Sequence, residues 1–253
     1  MLPLKKVVWI VAFGSIAAGC TDDNADETGL NSNEDLTAEN ENTEANNNDR
    51  DGDDTEELTA NHILERSHDT YRDITDVYYH TVSKVRETEE NGDTEETTEI
   101  KYWEFVTEDG HHMRRIERTE NDGPTEYTIT IEEGRYMLTY TAGDDTAYVR
   151  DRDEDAAYGL GGSLSNVSDR EDASIAGTGE VNGYEAYHIS FTGTSDLSDY
   201  WIDQDTYYIV RQEQLDHSPY TETDTIDYDL EPDYNPELFD VDYILPDGVE
   251  LSR

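Results

Sequence analysis

Between residues 76 and 152, apolar and polar residues alternate with a period of two, in short runs separated by turn signals. Val, Ile, Thr and Tyr, which favour strands, recur in these runs. The runs are separated by Asp109-Gly110, Asp122-Gly123, Gly134 and Gly143-Asp144, and glycine beside an acidic residue is typical of tight hairpin turns. Consecutive strands joined by tight turns pair with their neighbours, so this stretch predicts an antiparallel meander.

A helix is expected before the strands. Ile63, Ser67, Tyr71 and Ile74 fall three or four residues apart with Leu64 beside them, which predicts one amphipathic helix from Thr59 to Asp73. A polar link is expected over residues 88–96, and the glycine-rich residues 151–173 predict a flexible loop or a short helix and turn. The strands resume after residue 173, so the fold class is mainly β, or α+β.

The N-terminus has the layout of a secretory signal peptide over residues 1–19. Lys5 and Lys6 precede an apolar run, which spans roughly a dozen residues where a bilayer crossing needs about 20. Ala17-Ala18-Gly19-Cys20 resembles a lipobox, the site at which a prokaryotic lipoprotein is lipidated on cysteine and then cleaved before it. We therefore expect Cys20 to carry a lipid that anchors the exported chain to the outer face of the cell membrane.

An acidic segment follows the expected anchor. Residues 21–57 contain no aromatic residue, one base and two large apolar side chains, so they cannot bury enough surface to fold. We expect residues 20–57 to be the lipidated cysteine and a disordered tether, and an acidic tail for a cationic partner is the alternative. By length, residues 58–253 are one domain.

The charge of the whole chain is extreme, with 63 acidic and 17 basic residues and a formal net charge of −46. This composition resembles that of halophilic archaeal proteins, because concentrated salt screens the repulsion that would otherwise expand the chain. Nucleic-acid binding is disfavoured because phosphate contacts need a basic patch. No acidic loop has the spacing of a calcium-binding EF-hand.

No catalytic motif is recognisable. The sequence has no nucleophile elbow, zinc-protease helix or P-loop, and the adjacent His111 and His112 would point to opposite faces of a strand. We expect no enzymatic activity, no cofactor and no metal. Asn166-Val167-Ser168 is a glycosylation sequon, so Asn166 is a candidate modification site.

The C-terminal part of the chain resembles a known family. The segments YEAYHISF, YWIDQDTYYIVRQEQ and TIDYDLEPDYNPELFDVDYILPDG are similar to the C-terminal half of the LolA/LolB-like lipoprotein carriers. In that family a Trp-x-Asp ends one strand and the next strand begins with an aromatic residue and ends in Arg. The positions that match this pattern and the family's closing segment are Trp201, Asp203, Tyr207, Arg211, Asn235, Pro236, Phe239, Pro246 and Gly248.

The resemblance implies a highly curved antiparallel sheet that forms an incomplete barrel, with an N-terminal helix and a short lid-like loop or helix. Such proteins hold acyl chains in the concavity, so we expect binding of a lipid, an acyl chain or a lipoprotein. The alternation places the candidate lining residues on one face in each strand, without indicating which face is concave. These residues are Trp103, Phe105, Ile129, Ile131, Leu138, Tyr140, Ile189 and Phe191.

Two other functions stay open. The domain could be an envelope sensor or regulatory module that contacts a membrane protein. It could also be a structural surface lipoprotein whose interior is filled by its own side chains, since 18 tyrosines are many for a simple core. We expect a monomer in each case.

Overall fold

The structure is a computed structural model that describes residues 58–89, 92–152, 172–192, 198–214 and 219–253. These residues belong to the compact unit Glu57–Arg253. The predicted signal peptide, Cys20, the tether, Asn166 and residues 153–171 of the lid-like segment lie outside the described residues.

Helix α1 spans Ala60–Asp73, and the helix predicted from the sequence is thereby confirmed. Thr59 caps its N-terminus, because the Thr59 hydroxyl accepts a hydrogen bond from the His62 backbone N–H at 3.3 Å. The buried face of α1 is the face that the three- and four-residue spacing predicted: Ala60, Ile63, Leu64, Ser67 and Tyr71.

Twelve strands form a single sheet. Their bounds are β1 Val77–Glu89, β2 Gly92–Val106, β3 His112–Glu120, β4 Glu126–Ile131, β5 Tyr136–Thr141, β6 Thr146–Asp151, β7 Ala173–Val181, β8 Tyr184–Phe191, β9 Ser198–Asp203, β10 Ile209–Gln214, β11 Tyr220–Asp229 and β12 Glu250–Ser252. A 3-10 turn at Pro236–Phe239 and a short helix α2, Val241–Ile244, follow β11.

The strand order is β12-β6-β5-β4-β3-β2-β1-β11-β10-β9-β8-β7. The predicted antiparallel meander is confirmed for β1–β6, and β7–β11 form another. Pairing of β1 with β11 joins the two meanders, and β12 pairs parallel to β6. In the described part of the chain, β12 and β7 each pair on one side only, so the curved sheet stays open as an incomplete barrel.

The polar link predicted over residues 88–96 is wrong. Strands β1 and β2 extend to Glu89 and Gly92, which are themselves a register pair. Threonine favours strands, and Thr88, Thr94 and Thr97 lie among the acidic residues of these two strands. The many acidic residues at its tip led to the prediction of a link where β1 and β2 form the longest hairpin of the sheet.

Left-handed backbone marks the tight turns. Gly110 and Gly143 have φ values of +82° and +94°, as glycine at the predicted hairpin turns allows. At the turn between β3 and β4, the left-handed residues are Asn121 and Asp122, with φ values of 49° and 57°, and not Gly123. Asn and Asp tolerate this conformation because their short side chains bond locally to the backbone.

Candidate functional site

The two faces of the sheet can be traced by register, because directly paired residues of neighbouring antiparallel strands lie on the same face. Helix α1 shares a hydrophobic cluster with strands β8 and β9. From β8 to β2, each of the following residues is the register partner of the next, so all of them lie on this face: Ile189, Tyr200, Gln212, Thr223, Ser83 and Thr98. Tyr102 and Glu104 follow Thr98 at intervals of two along β2, and they therefore lie on the same face as α1. We call it the helix face.

Six of the eight predicted lining residues lie on the opposite face. Register pairs and period-two neighbours place there Trp103, Phe105, Ile129, Ile131, Leu138 and Tyr140. They share a cluster with Phe239 and with apolar side chains of residues 236–249, which we call the C-terminal segment. The rings of Phe105 and Phe239 meet edge to face at 5.9 Å. We call this side the C-terminal face.

The other two predicted residues, Ile189 and Phe191, lie on the helix face. They are buried against α1, in the cluster that contains Ile63, Leu64 and Tyr71. The structure therefore brings together six of the predicted residues on one face and two on the other. Their role in ligand binding stays a prediction.

A continuous row of tyrosines crosses the helix face from α1 to β2. Tyr71 stacks on Tyr208 at 5.0 Å between ring centroids, and Tyr208 stacks on Tyr228 at 4.5 Å. Tyr228 is the register partner of Tyr79, which stacks on Tyr102 at 4.7 Å. These five residues form what we call the tyrosine row. The sequence showed an excess of tyrosine, but the row joins residues more than 150 positions apart and no local pattern reveals it.

The row is a largely buried line of apolar rings that carries neutral hydroxyl groups. Burial raises the pKa of Tyr71, Tyr79, Tyr102, Tyr208 and Tyr228 above the ordinary value of 10.0. The phenols therefore stay protonated at neutral pH. Tyrosine rings with protonated hydroxyls suit a ligand that is mostly apolar and has a few polar atoms.

The row ends at a pair of opposite charges. The Tyr102 hydroxyl donates to the carboxylate of buried Glu104, and Arg114 is the register partner of Glu104 on β3. The negative charge of Glu104 raises the pKa of Tyr102 and Tyr79, and the positive charge of Arg114 lowers it. Both charges therefore act on the same two phenols.

Beyond this pair, β4 and β5 contribute Thr130 and Met137 to the helix face. Both are buried, and the Thr130 hydroxyl oxygen accepts a hydrogen bond from the Arg114 backbone N–H at 2.5 Å. Tyr102 and Met137 are buried but belong to none of the hydrophobic clusters formed by the described residues. This part of the helix face alternates apolar and polar groups.

Ser67 adds an unpaired polar group under α1. Its side chain is fully buried, one helical turn before Tyr71, and its hydroxyl oxygen has no hydrogen-bond partner among the described residues. A buried hydroxyl without a partner costs about 1–3 kcal/mol. The sequence places Ser67 on the buried side of α1 but does not reveal that its hydroxyl is unpaired.

The positions that match the carrier family have structural roles around β9 and β10. Asp203 is buried, and its Oδ1 accepts hydrogen bonds from the backbone N–H of Asp205 and Thr206 at 2.8 and 2.7 Å, which holds the predicted turn. Arg211 donates to Asp224 at 2.6 Å and lies 5.6 Å from the ring of Trp201. These residues brace the sheet.

Two strand histidines have partners that the sequence did not show. The Nε2 atoms of His80 and His188 lie 2.8 and 2.9 Å from carboxylate oxygens of Glu99 and Asp199. The His188 ring also stacks on Trp201 at 4.2 Å. Among residues 58–89, 92–152, 172–192, 198–214 and 219–253, no group of three or more His, Cys, Asp or Glu side chains could hold a metal ion.

No protein-family model matches the sequence. No curated protein matches it. Several solved structures have a similar fold. LprF from Mycobacterium bovis is 14% identical with a TM-score of 0.47, and the match covers 70% of this chain and 96% of LprF. The LolA superfamily protein NE2245 from Nitrosomonas europaea is 12% identical with a TM-score of 0.31, covering 74% of this chain and all of that one (100%).

MucB in the Pseudomonas aeruginosa MucA/MucB complex is 16% identical with a TM-score of 0.42, and the match covers 71% of this chain and 60% of that one. At such identities the likeness concerns the fold alone. The architecture described above, an N-terminal helix and one open, curved antiparallel sheet, is the incomplete barrel predicted from the sequence, and that prediction is confirmed.

In the described part of the chain, no helix combines the length and the apolar character needed to cross a bilayer.

Proposed function

We propose that this protein is an exported, membrane-anchored binder or carrier of a lipid or acyl chain, and that the ligand lies against the helix face. The observation that carries the proposal is the tyrosine row, which extends from Tyr71 on α1 to Tyr102 on β2. Its rings supply apolar contact area, and its neutral hydroxyls supply sparse hydrogen bonds. Ligand sites are generally apolar with a few placed polar groups.

The C-terminal face supports the choice of the helix face by contrast. Its apolar side chains on β3–β6 contact the chain's own C-terminal segment through Phe239 and Leu238. Arg115 reinforces this contact, because its Nη1 donates to the Leu238 carbonyl at 2.9 Å. A ligand on that face would have to displace Phe239, which is 7% exposed.

The membrane anchor completes the proposal. A lipid on Cys20 and an acidic tether over residues 20–57 would hold the domain near the membrane, where lipids are concentrated. A double-chain anchor is stable without a second signal. Substitution Cys20→Ser, with the signal segment intact, is expected to release the protein into the medium. Retention of that variant in the membrane fraction would contradict anchoring by Cys20.

The direct test is native mass spectrometry of the full chain, purified in high salt from a native-like host, with organic extraction of bound material. A discrete lipid at near-equal stoichiometry supports the binder. A folded apo protein that also takes up no added lipid contradicts it. In that case either the structural alternative, with an interior filled by the stacked tyrosines themselves, or the regulatory role described below would hold.

A variant pair locates the ligand. Tyr79→Ala removes a ring from the middle of the tyrosine row and is expected to weaken binding of a fluorescent fatty-acid probe by about tenfold, roughly 1.4 kcal/mol. Tyr243→Ala removes a ring that is 66% exposed on α2 and should leave binding unchanged. Equal losses in both variants would argue against the helix face as the site.

A regulatory role is the second candidate. MucB, whose fold is similar, was solved in complex with MucA. A module of this kind would need a membrane protein as partner, and co-purification of one specific membrane protein with the anchored chain would favour it. We propose no enzymatic activity for either role.

A further inference from the structure

Ser67 lies on the buried side of α1, and its hydroxyl has no hydrogen-bond partner among the described residues. From this unpaired hydroxyl, and resting on the proposed function, we infer that Ser67 is a specificity-determining residue of the ligand site. Its hydroxyl donates a hydrogen bond to the ligand, and the group that it recognises is a carbonyl oxygen, such as that of an esterified acyl chain.

The first argument is the cost of this serine in the ligand-free chain. A serine inside a helix can satisfy its hydroxyl on the backbone carbonyl of the preceding turn, but the Ser67 hydroxyl makes no such bond. The side chain is fully buried, so solvent does not reach it. Most buried polar side-chain atoms have a partner, and alanine at this position would remove the penalty and favour the helix. A ligand that accepts the bond gives the hydroxyl a role that alanine cannot fill.

The second argument concerns the side chains around Ser67. Residues three and four positions apart are neighbours on a helix, so Leu64 and Tyr71 flank Ser67. Both belong to the hydrophobic cluster that also contains Ile189 of β8 and Ile202 of β9. An ionised group is costly in apolar surroundings unless it is paired. A carbonyl oxygen needs only a donor, and the Ser67 hydroxyl supplies one without any charge.

The third argument concerns the attachment of α1, because a ligand must part α1 from the sheet to reach the sealed Ser67 hydroxyl. The turn between β9 and β10 holds α1. Arg66 Nη1 donates to the Tyr207 hydroxyl at 2.9 Å, and the Thr70 hydroxyl donates to the Thr206 carbonyl at 2.8 Å. Tyr207 has a φ of 60°, a left-handed conformation that is strained for a bulky residue. Such strain is typical of ligand clamps, and here it weakens the attachment that the ligand must open.

The test compares two probes of similar length that differ in an ester group, methyl dodecanoate and tetradecane, on the full chain in high salt. Each probe displaces a pyrene-labelled hydrocarbon. Ser67→Ala should weaken binding of methyl dodecanoate by about tenfold and change binding of tetradecane by less than about twofold. The same variant should raise the midpoint of thermal unfolding of the ligand-free chain. A merely structural role would instead lower that midpoint.

Two further variants sharpen the assignment. Ser67→Cys keeps a weak S–H donor, so it should lose less affinity for methyl dodecanoate than Ser67→Ala does. The matched control is Ser190→Ala on β8, which follows Ile189 and therefore faces away from α1. The Ser190 hydroxyl already lies 3.3 Å from Ser174 Oγ, so its removal should change binding of either probe by less than about twofold.

The outcomes separate this inference from the proposed function. If Ser67→Ala weakens binding of both probes equally, the substitution disturbs the packing of α1 and the inference is overturned. If Ser67→Ala leaves binding of methyl dodecanoate unchanged, the hydroxyl does not contact the ligand and the inference is again overturned. In both cases the binding seen with the unaltered chain leaves the proposed function intact. Binding of neither probe to the unaltered chain overturns both.

Discussion

The hydroxyl of Ser67 lies fully buried on α1 without a hydrogen-bond partner among the described residues, which gives a residue-scale prediction. Ser67→Ala removes this unpaired group and introduces a better helix former, so the free energy of unfolding should rise by about 1 kcal/mol. Urea denaturation of the ligand-free chain measures it. The control is Ser83→Ala, which removes a hydroxyl that lies 2.8 Å from Thr223 Oγ1 and should lower stability. Loss of stability in both variants would mean that the Ser67 hydroxyl is satisfied.

Asp203 gives a second prediction at this scale. Its Oδ1 accepts hydrogen bonds from two backbone N–H groups and from the Thr206 hydroxyl at 3.0 Å, and its side chain is buried. Asp203→Ala leaves those donors without an acceptor and should lower the free energy of unfolding by about 2–3 kcal/mol. Asp203→Asn keeps the accepting oxygen and should lose less than half as much. Equal losses would show that the negative charge, and not the acceptor, stabilises the turn.

Local sequence chemistry predicted much at the residue scale. The helix bounds, its buried side, the turn at Asp203 and the glycine turns at Gly110 and Gly143 each depend on a few neighbouring residues. The partners of His80 and His188 could not be predicted, because each lies on an adjacent strand and any of many acidic residues could have filled that place. In a chain with 63 acidic residues, many carboxylates are available to each histidine, so the sequence does not indicate which one is its partner.

At the scale of elements, the C-terminal segment acts as a cover on the C-terminal face. Phe239 is buried and contacts the rings of Phe105 and Tyr234, each at 5.9 Å. Phe239→Ala should lower the free energy of unfolding by about 3–5 kcal/mol, because it leaves a cavity between this segment and β2–β4. Tyr243→Ala, four residues on and largely exposed, should change stability by less than about 0.5 kcal/mol. Chemical denaturation of both variants in the same buffer tests the difference.

The period of two predicted strands but could not assign their faces. Trp103 and Tyr102 are adjacent, and only long-range packing decides which of them lies on the face of α1 and which lies on the face of the C-terminal segment. The pairing of β1 with β11 joins residues about 140 positions apart, so no local pattern predicts it. The open sheet was predicted through a family resemblance. The candidate site, by contrast, depends on register that the sequence does not contain.

At the scale of the whole molecule, the raised pKa values of buried tyrosines determine behaviour at high pH. Burial raises the pKa of Tyr79 and its neighbours in the tyrosine row above 10.0, and it raises that of Tyr220 to about 12. The folded state therefore holds protons that the unfolded chain releases. This contribution to stability is fully present below pH 10 and is lost as the pH rises above that value.

Thermal unfolding between pH 7 and 11 measures this loss. Tyr79→Phe removes one such proton, so the variant should match the unaltered chain at pH 7 and lose less stability above pH 10. A variant that declines as steeply as the unaltered chain would show that Tyr79 does not contribute.

The net charge of −46 determines the response of the molecule to salt. Repulsion among carboxylates favours the expanded chain, and at about 1 M salt the Debye length falls to roughly 3 Å. The midpoint of thermal unfolding should therefore rise steeply with NaCl up to about 1 M and then more slowly. Sucrose is the matched control, because it is excluded from protein surfaces but screens no charge. If sucrose at equal osmolality raises the midpoint as much as NaCl does, exclusion from the surface explains the effect. If NaCl alone raises it, the acidic surface is a device for stability in concentrated salt, and ligand binding on the helix face must be measured there.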